Sequence, residues 1–302
     1  MMTEDNAKVK PIKFLCYRYS VIPNSQLSLW SDDAFEKRQV MEEIVRHCAE
    51  IKPITSMYHG SESILFYMRP VGHTAHLFKF CRKMRVQRFE IDSTRNDVFQ
   101  HDIDSYPYVY IIVDTSMQIV MMQRKSSVFS SVGGAKGSFE ALVKTFMSDD
   151  NYYFSLDEIT ASTSFWDTVE NADEVYDVTL KLKSPNFLGA GYSTTDLLRR
   201  LQNVTNNDRL SLKLSNSSGE LDMSRDEYDD TIEYITAGGG SWSATTSTGG
   251  ARRVTHKSDE FVKTVEVKVS EQIPLDDGEI IIAIRGAGAK RGDGDVAGHM
   301  GT

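Results

Sequence analysis

YVYIIVDTSMQIVMMQ, residues 108–123, decides the fold class. Residues 108–113 and 118–123 are two apolar, β-rich runs around the polar Asp114-Thr115-Ser116, the pattern of a hairpin. Upstream, KFLCYRYS at 13–20 alternates aromatic and polar residues as an opening strand, and 63–68, 77–82 and 85–91 read as further short strands. Ser31, Asp32 and Asp33 mark a helix start, after which Phe35, Met41, Ile44, Val45 and Cys48 fall at helical spacing. Gly133, Gly134 and Gly137 precede a helix over 138–147.

Downstream the pattern restarts. A short helix over 164–172 leads to VYDVTLKLKS at 175–184, which alternates cleanly and stops at Pro185. A helix at 194–202, a strand at 209–214 and an acidic helix at 225–237 follow, the last closed by Gly238-Gly239-Gly240. Residues 241–247, 252–256, 263–270 and 279–284 read as later strands. The predicted class is α+β in two domains, each a mostly antiparallel sheet with packed helices. Their boundaries are 1–150 and 174–285, with an acidic connecting segment over 151–173 and a Gly-rich tail over 286–302.

Composition narrows the function classes. At 302 residues and 40% hydrophobic content the chain can bury a real core, which excludes dominant disorder. Three dispersed cysteines, Cys16, Cys48 and Cys81, form neither a disulfide framework nor a metal knuckle, and they fit a reducing compartment. The first thirty residues lack the apolar core of a signal peptide. Apolar runs stay strand-sized, below the ~18 residues a membrane span needs. The expectation is a cytoplasmic protein with no membrane insertion.

The net charge of −9 is concentrated. Residues 149–177 hold nine acids and no Lys or Arg. Residues 79–95 hold the opposite charge: Lys79, Arg82, Lys83, Arg85, Arg88 and Arg95 against Glu90 and Asp92. Interleaved with Phe78, Phe80 and Phe89, this stretch reads as a sheet edge with aromatics inward and cations outward toward phosphates. Lys136, within the glycine turn 133–138 ahead of a helix, offers a phosphate cradle, and Arg252 and Arg253 a second basic patch. No base-reading signature accompanies them, so backbone contacts would dominate.

Catalytic motifs are sparse. His73 and His76 stand alone at i, i+3, without the partners a zinc site requires. The sequence contains no Walker, nucleophile-elbow or dinucleotide-binding spacing. Asp259 followed by Glu266 and Lys268 matches the D…ExK order in which nucleases hold Mg²⁺ and aim a lysine at phosphate, and a half-exposed strand produces the same pattern by chance.

Phe14-Leu15-Cys16-Tyr17-Arg18-Tyr19, then residues 106–114 and 118–127, with a βα-rich second half, resemble RexA-like phage-exclusion proteins of bacterial antiphage defence. The resemblance lies in element order and two short strands over the first 150 residues. It implies a two-domain α+β homodimer that senses nucleic acid during abortive infection, and it carries over no catalytic residue. The pI of 5.3 departs from a DNA-binding relative. The expected function is an antiphage-defence component that binds nucleic acid, DNA foremost, through the backbone without sequence specificity. No cofactor is expected, and a second defence-system protein is a candidate partner. Two alternatives stand beside it: a Mg²⁺-dependent nuclease, and a protein–protein adaptor using its acidic segment.

Overall fold

Residues 14–21 bury side chains on both sides of one strand: Leu15, Tyr17, Tyr19 and Val21 toward one core, Phe14 and Cys16 toward another. A strand buried on both faces belongs in the interior of a sheet. In the computed structural model, β1 (Lys10–Pro23) does form the spine of the larger sheet. The structure describes residues 10–23, 37–92, 94, 97–147, 152–183, 193–205, 207, 209–269 and 275–288.

After β1 come α1 (Lys37–Glu50), β2 (Ile54–Tyr58), β3 (Ser61–Val71), β4 (Ala75–Arg82), β5 (Met84–Asp92) and β6 (Asp97–Ser105). The predicted hairpin follows as β7 (Tyr108–Asp114) and β8 (Ile119–Gln123), then α2 (Val132–Met147) and β9 (Tyr152–Glu158). The remainder holds α3 (Ser162–Glu170), β10 (Glu174–Lys183), α4 (Ser193–Thr205), β11 (Arg209–Ser215) and α5 (Arg225–Tyr234). A π-helical turn, Ile235–Gly239, leads into β12 (Gly240–Ser247) and β13 (Val254–Lys257). A 3-10 turn, Ser258–Phe261, then leads to β14 (Thr264–Val269) and α6 (Asp277–Gly288).

The class is α+β and the sheets are antiparallel, as predicted. The larger sheet is eight-stranded, in the order β14-β1-β8-β7-β4-β3-β2, with β9 pairing the far end of β1. Four strands, β11-β10-β12-β13, form a second sheet, and β5 and β6 pair only with each other. On the first face of the large sheet α1 buries Val40, Met41 and Ile44, and α2 buries Phe139, Leu142 and Val143. On the second face α6 lays Ile280, Ala283, Ile284 and Ala287 over Leu77, Ile112, Ile119 and Met121. The small sheet packs α3 and α5 around Trp166, Trp242 and Leu180.

The expected division of the chain does not match this pairing. Residues 152–158, placed in a connecting segment, supply β9, and β14 pairs residues 10–15 in register Phe14 to Val265. The small sheet is thus an insertion between two strands of the large one. Residues 279–284, read as a strand, are helical. Their apolar positions 280, 283, 284 and 287 follow the i, i+3, i+4, i+7 rule, and Asp276 accepts from the amides of Gly278 and Glu279 at 2.9 and 3.2 Å as the cap. β6 escaped notice because DVFQHDIDS is rich in aspartate, which strands disfavour. The helix start at Ser31 and the tail beyond Gly288 lie outside the described residues. No helix among the described residues is long and apolar enough to cross a membrane.

The two sheets are joined by polar contacts at β1 and β9. Arg18 donates from Nε to the Ala237 carbonyl at 2.6 Å and from Nη1 to that of Met117 at 2.8 Å. The π-helical turn comes this close because residue 238 is glycine: at φ +93° a Cβ there would stand 2.5 Å from that of Arg18. Beside it Lys183, at the end of β10, reaches both carboxylate oxygens of Asp157 at 2.6 and 2.7 Å and Ser155 Oγ at 2.8 Å. Burial pushes the Asp157 carboxyl above the usual carboxylate range, and Lys183 pulls it back only in part.

Candidate functional site

The basic stretch does not converge in space. β4 alternates, so Lys79 and Arg82 leave opposite faces of the large sheet. Arg82 turns to the first face, where it donates to the Val128 carbonyl and Ser61 Oγ and lies against Phe129. Lys83 sits between Asp104 at 2.8 Å and Glu62 at 3.8 Å. Arg85 and Arg88 belong to the β5–β6 hairpin, registered against Asp104 and His101, and Arg88 lies 3.4 Å from Glu90. Residues 84–105 hold three arginines against five acids, so the strand that pairs with the basic run neutralises it.

Lys79 alone of this group faces the second side of the sheet, and its surroundings form the strongest candidate site. α6 covers the half of that face around Leu77, Val71, Ile112 and Met121. The other half continues along the same strands. Pairing sets Phe66 opposite Lys79 and Lys79 opposite Tyr110, with Ile64, Cys81 and Tyr108 in the next row. Phe66 is 39% exposed, and Met57, on the same face of β2, 63%. The Lys79 ammonium lies 4.5 Å from the centre of the Tyr108 ring, and that of Lys125 lies 5.5 Å from it. Tyr110 meets Tyr108 edge-on at 5.4 Å. The Tyr110 backbone amide donates to Gln123 Oε1 at 2.9 Å, which fixes the base of the ring. Burial, with the neighbouring Tyr108 hydroxyl, raises the Tyr110 phenol to about 12, so it stays neutral. Arg124 is exposed beside Lys125.

This arrangement is chemically distinctive. A solvent-facing patch of tyrosine and phenylalanine offers stacking surface, and cations at 4.5–5.5 Å from a ring hold charge beside it. Tyr108 and Tyr110 stood in the sequence as part of the deciding hairpin. Their i, i+2 spacing, with Lys79 on the neighbouring strand opposite Tyr110, is the signal for the site, and it becomes readable only once β4 is known to lie beside β7.

The remaining predicted positions do not join the patch. The glycines at 133, 134 and 137 are inside α2 rather than ahead of it: Ser131 Oγ accepts from the Gly134 amide at 3.0 Å as the cap. Gly137 is there because a Cβ would overlap the Tyr58 hydroxyl. Lys136 points inward to Glu158 at 2.6 Å, so no phosphate cradle exists at that turn. Burial pulls the Lys136 ammonium down, and Glu158, with Glu140 and Asp157, more than restores it. Arg253 stacks at 3.5 Å on Tyr176 of the small sheet, and Arg252 is exposed nearby in the loop before β13. Asp259 is on the 3-10 turn after the small sheet, whereas Glu266 and Lys268 are on β14 of the large one, with Glu266 paired to Lys13 at 3.5 Å. His76 meets the Tyr67 hydroxyl at 3.5 Å. No group of three or more His, Cys, Asp or Glu among the described residues is placed to hold a metal. Burial raises the Cys16 and Cys48 thiols to about 12 and 11, which makes them poor nucleophiles.

The acidic segment is matched internally. Asp157 and Glu158 meet Lys183 and Lys136, Glu170 meets Arg225, Asp173 accepts from the Gly249 amide, and Asp177 meets Ser215 and Lys213. Five of the nine acids of this run are thus met by a partner within the fold. A scan against protein-family models finds no match, and searches of curated proteins and of solved structures find none either.

Proposed function

We propose that this protein binds single-stranded nucleic acid, without sequence specificity, on the open half of the large sheet's second face. The observation that carries the reading is the pair of lysine ammoniums held 4.5 and 5.5 Å from the Tyr108 ring, with Tyr110 and the 39%-exposed Phe66 beside it on a face that α6 leaves uncovered. Bases stack on aromatic rings whatever their identity, and each such contact is worth about 1–3 kcal/mol. Lys79, Lys125 and Arg124 then meet the phosphates on either side. Duplex is the poorer ligand, because its bases are already stacked and its doubled backbone charge meets a protein of net charge −9. Within the antiphage role implied by the resemblance to RexA-like proteins, unpaired nucleic acid is the species such a surface would sense.

Fluorescence anisotropy with a labelled oligonucleotide in single-stranded DNA, RNA and duplex forms tests this. The single strands should bind and lose affinity with salt at a log–log slope near −0.7 per phosphate contacted. Binding that is absent at low salt, or a duplex that binds more tightly than its separated strands, would overturn the reading.

A further inference from the structure

The β5–β6 hairpin leaves the large sheet between β4 and β7 and packs on no third strand among the described residues. Its strands are nine residues long, and both outer edges are free in the described chain. Phe89, Ile91 and Val98 are 65%, 77% and 58% exposed, and pairing puts all three on one face of the ribbon. A two-stranded ribbon is at best marginally stable in water, and a long free edge is a template for another strand.

We propose that the β5 edge pairs with the β5 edge of a second copy of this chain, antiparallel, about a two-fold axis at Phe89. Sequence selects that register. A two-fold axis perpendicular to the joined sheet sets one residue opposite itself, with its neighbours opposite each other in reverse order. Centring on Arg88 or on Glu90 opposes two like charges, which destabilises a sheet pair. Centring on Gln87 sets Val86 against arginine, Phe89 against arginine and Met84 against glutamate, three apolar–charged pairs where the Phe89 centre leaves one, Val86 against Asp92. Centring on Phe89 sets Arg88 against the second copy's Glu90 and Glu90 against its Arg88, with the two phenylalanines between and Ile91 against Gln87. Both side chains are exposed and available: Arg88 and Glu90 are 62% and 44% accessible and at present lie 3.4 Å apart on one strand face. The β6 edge does not qualify, because it carries Asp97, Asp102 and Asp104 and neither Lys nor Arg. Joined at β5, two marginal ribbons become one four-stranded sheet, with Phe89 and Ile91 of both copies in a continuous apolar row. The inference rests on the hairpin alone and stands or falls apart from nucleic-acid binding.

Light scattering on the full chain at micromolar concentration should give twice the 34.1 kDa chain mass. Arg88→Glu and Glu90→Arg should each halve the mass, and the double exchange Arg88→Glu/Glu90→Arg should restore it. Opposed residues in an antiparallel pair have Cα atoms about 4.5–5.5 Å apart, within disulfide reach. Phe89→Cys should therefore give a crosslinked dimer on oxidation, while Gln87→Cys should not. A monomeric parent, a double exchange that stays monomeric, or crosslinking at residue 87 rather than 89 would each overturn the proposal. Circular dichroism of every variant separates loss of pairing from loss of fold.

Discussion

The second face of the large sheet is treated in two opposite ways along the same strands. At one end α6 and the tip of β10 cover it, and the residues beneath are Leu77, Val71, Ile112 and Met121, with Lys183 and Asp157 paired at the margin. At the other end Phe66 and Met57 are exposed and Lys79, Tyr108 and Tyr110 half-buried. There β4 changes from Leu77 to Lys79, β7 from Ile112 to Tyr110 and Tyr108, and β3 from Val71 to Phe66. On β4 and β7 a residue that must be dry is replaced by one with a polar end that can stay wet, and on β3 a buried valine gives way to a 39%-exposed ring. The switch within each strand is what the proposed binding face rests on.

Substitutions can break or sharpen that contrast. The largest effect is expected at the covered margin. Lys183→Met strands the buried Asp157 carboxylate and should cost about 3–5 kcal/mol in denaturant unfolding. The sign with pH is fixed by the raised Asp157 pKa. The folded state holds that proton more tightly than the unfolded chain, so this group favours folding at low pH and the advantage is lost as pH rises through its folded value. Removing Lys183 raises the Asp157 pKa further, so the deficit of the variant should shrink as pH falls from 8 toward 4 and the stranded carboxyl takes up a proton. A deficit that stays constant or grows on acidification would show that Lys183 does not hold the Asp157 carboxylate in its charged form.

Next in size is the α6 cover. Ile280→Ala removes a fully buried side chain and should cost about 2–5 kcal/mol in the same measurement. At the open end the order of effects reverses. Tyr110→Ala should cost less stability than Ile280→Ala, yet weaken single-strand binding by about 1–3 kcal/mol, roughly 5- to 150-fold in anisotropy titrations. Smallest is Lys79→Ala, which should leave the melting temperature within the range of about 0.5 kcal/mol typical of surface changes and reduce the salt slope by about 0.7. If Tyr110→Ala unfolded the protein while Ile280→Ala were tolerated, the contrast between the two ends would be wrong.

Much of the architecture was legible and much of the site was not, for one physical reason. The β7–β8 hairpin is a local pattern closed by a polar turn, and 108–123 states it outright. α6 was not legible from its apolar run: five consecutive apolar residues read as a strand, although 280, 283, 284 and 287 obey the helical rule and Asp276 caps the first turn. The return of residues 264–269 to pair with β1 is a long-range choice that no local pattern records. Charge was the least legible property. Arg85 and Lys83 read as free cations because Asp104, which faces both, lies some twenty residues away on a strand whose aspartates hide it. The same holds for Asp157 and Lys183, twenty-six residues apart and 2.6 Å in space. Lys79 kept its outward position because the strand alternation that predicted it is local.

The central claim is that nucleic acid lies on Tyr110, Phe66 and Lys79. Photocrosslinking of a single-stranded oligonucleotide carrying 5-iodouracil, followed by mass spectrometry of the linked peptides, locates the contact without assuming it. The account predicts adducts in the peptides containing Phe66, Tyr108 and Tyr110, lost when excess unlabelled single strand is added. Adducts confined to the β5–β6 hairpin or to the Arg252–Arg253 loop, with none on β3 or β7, would contradict it.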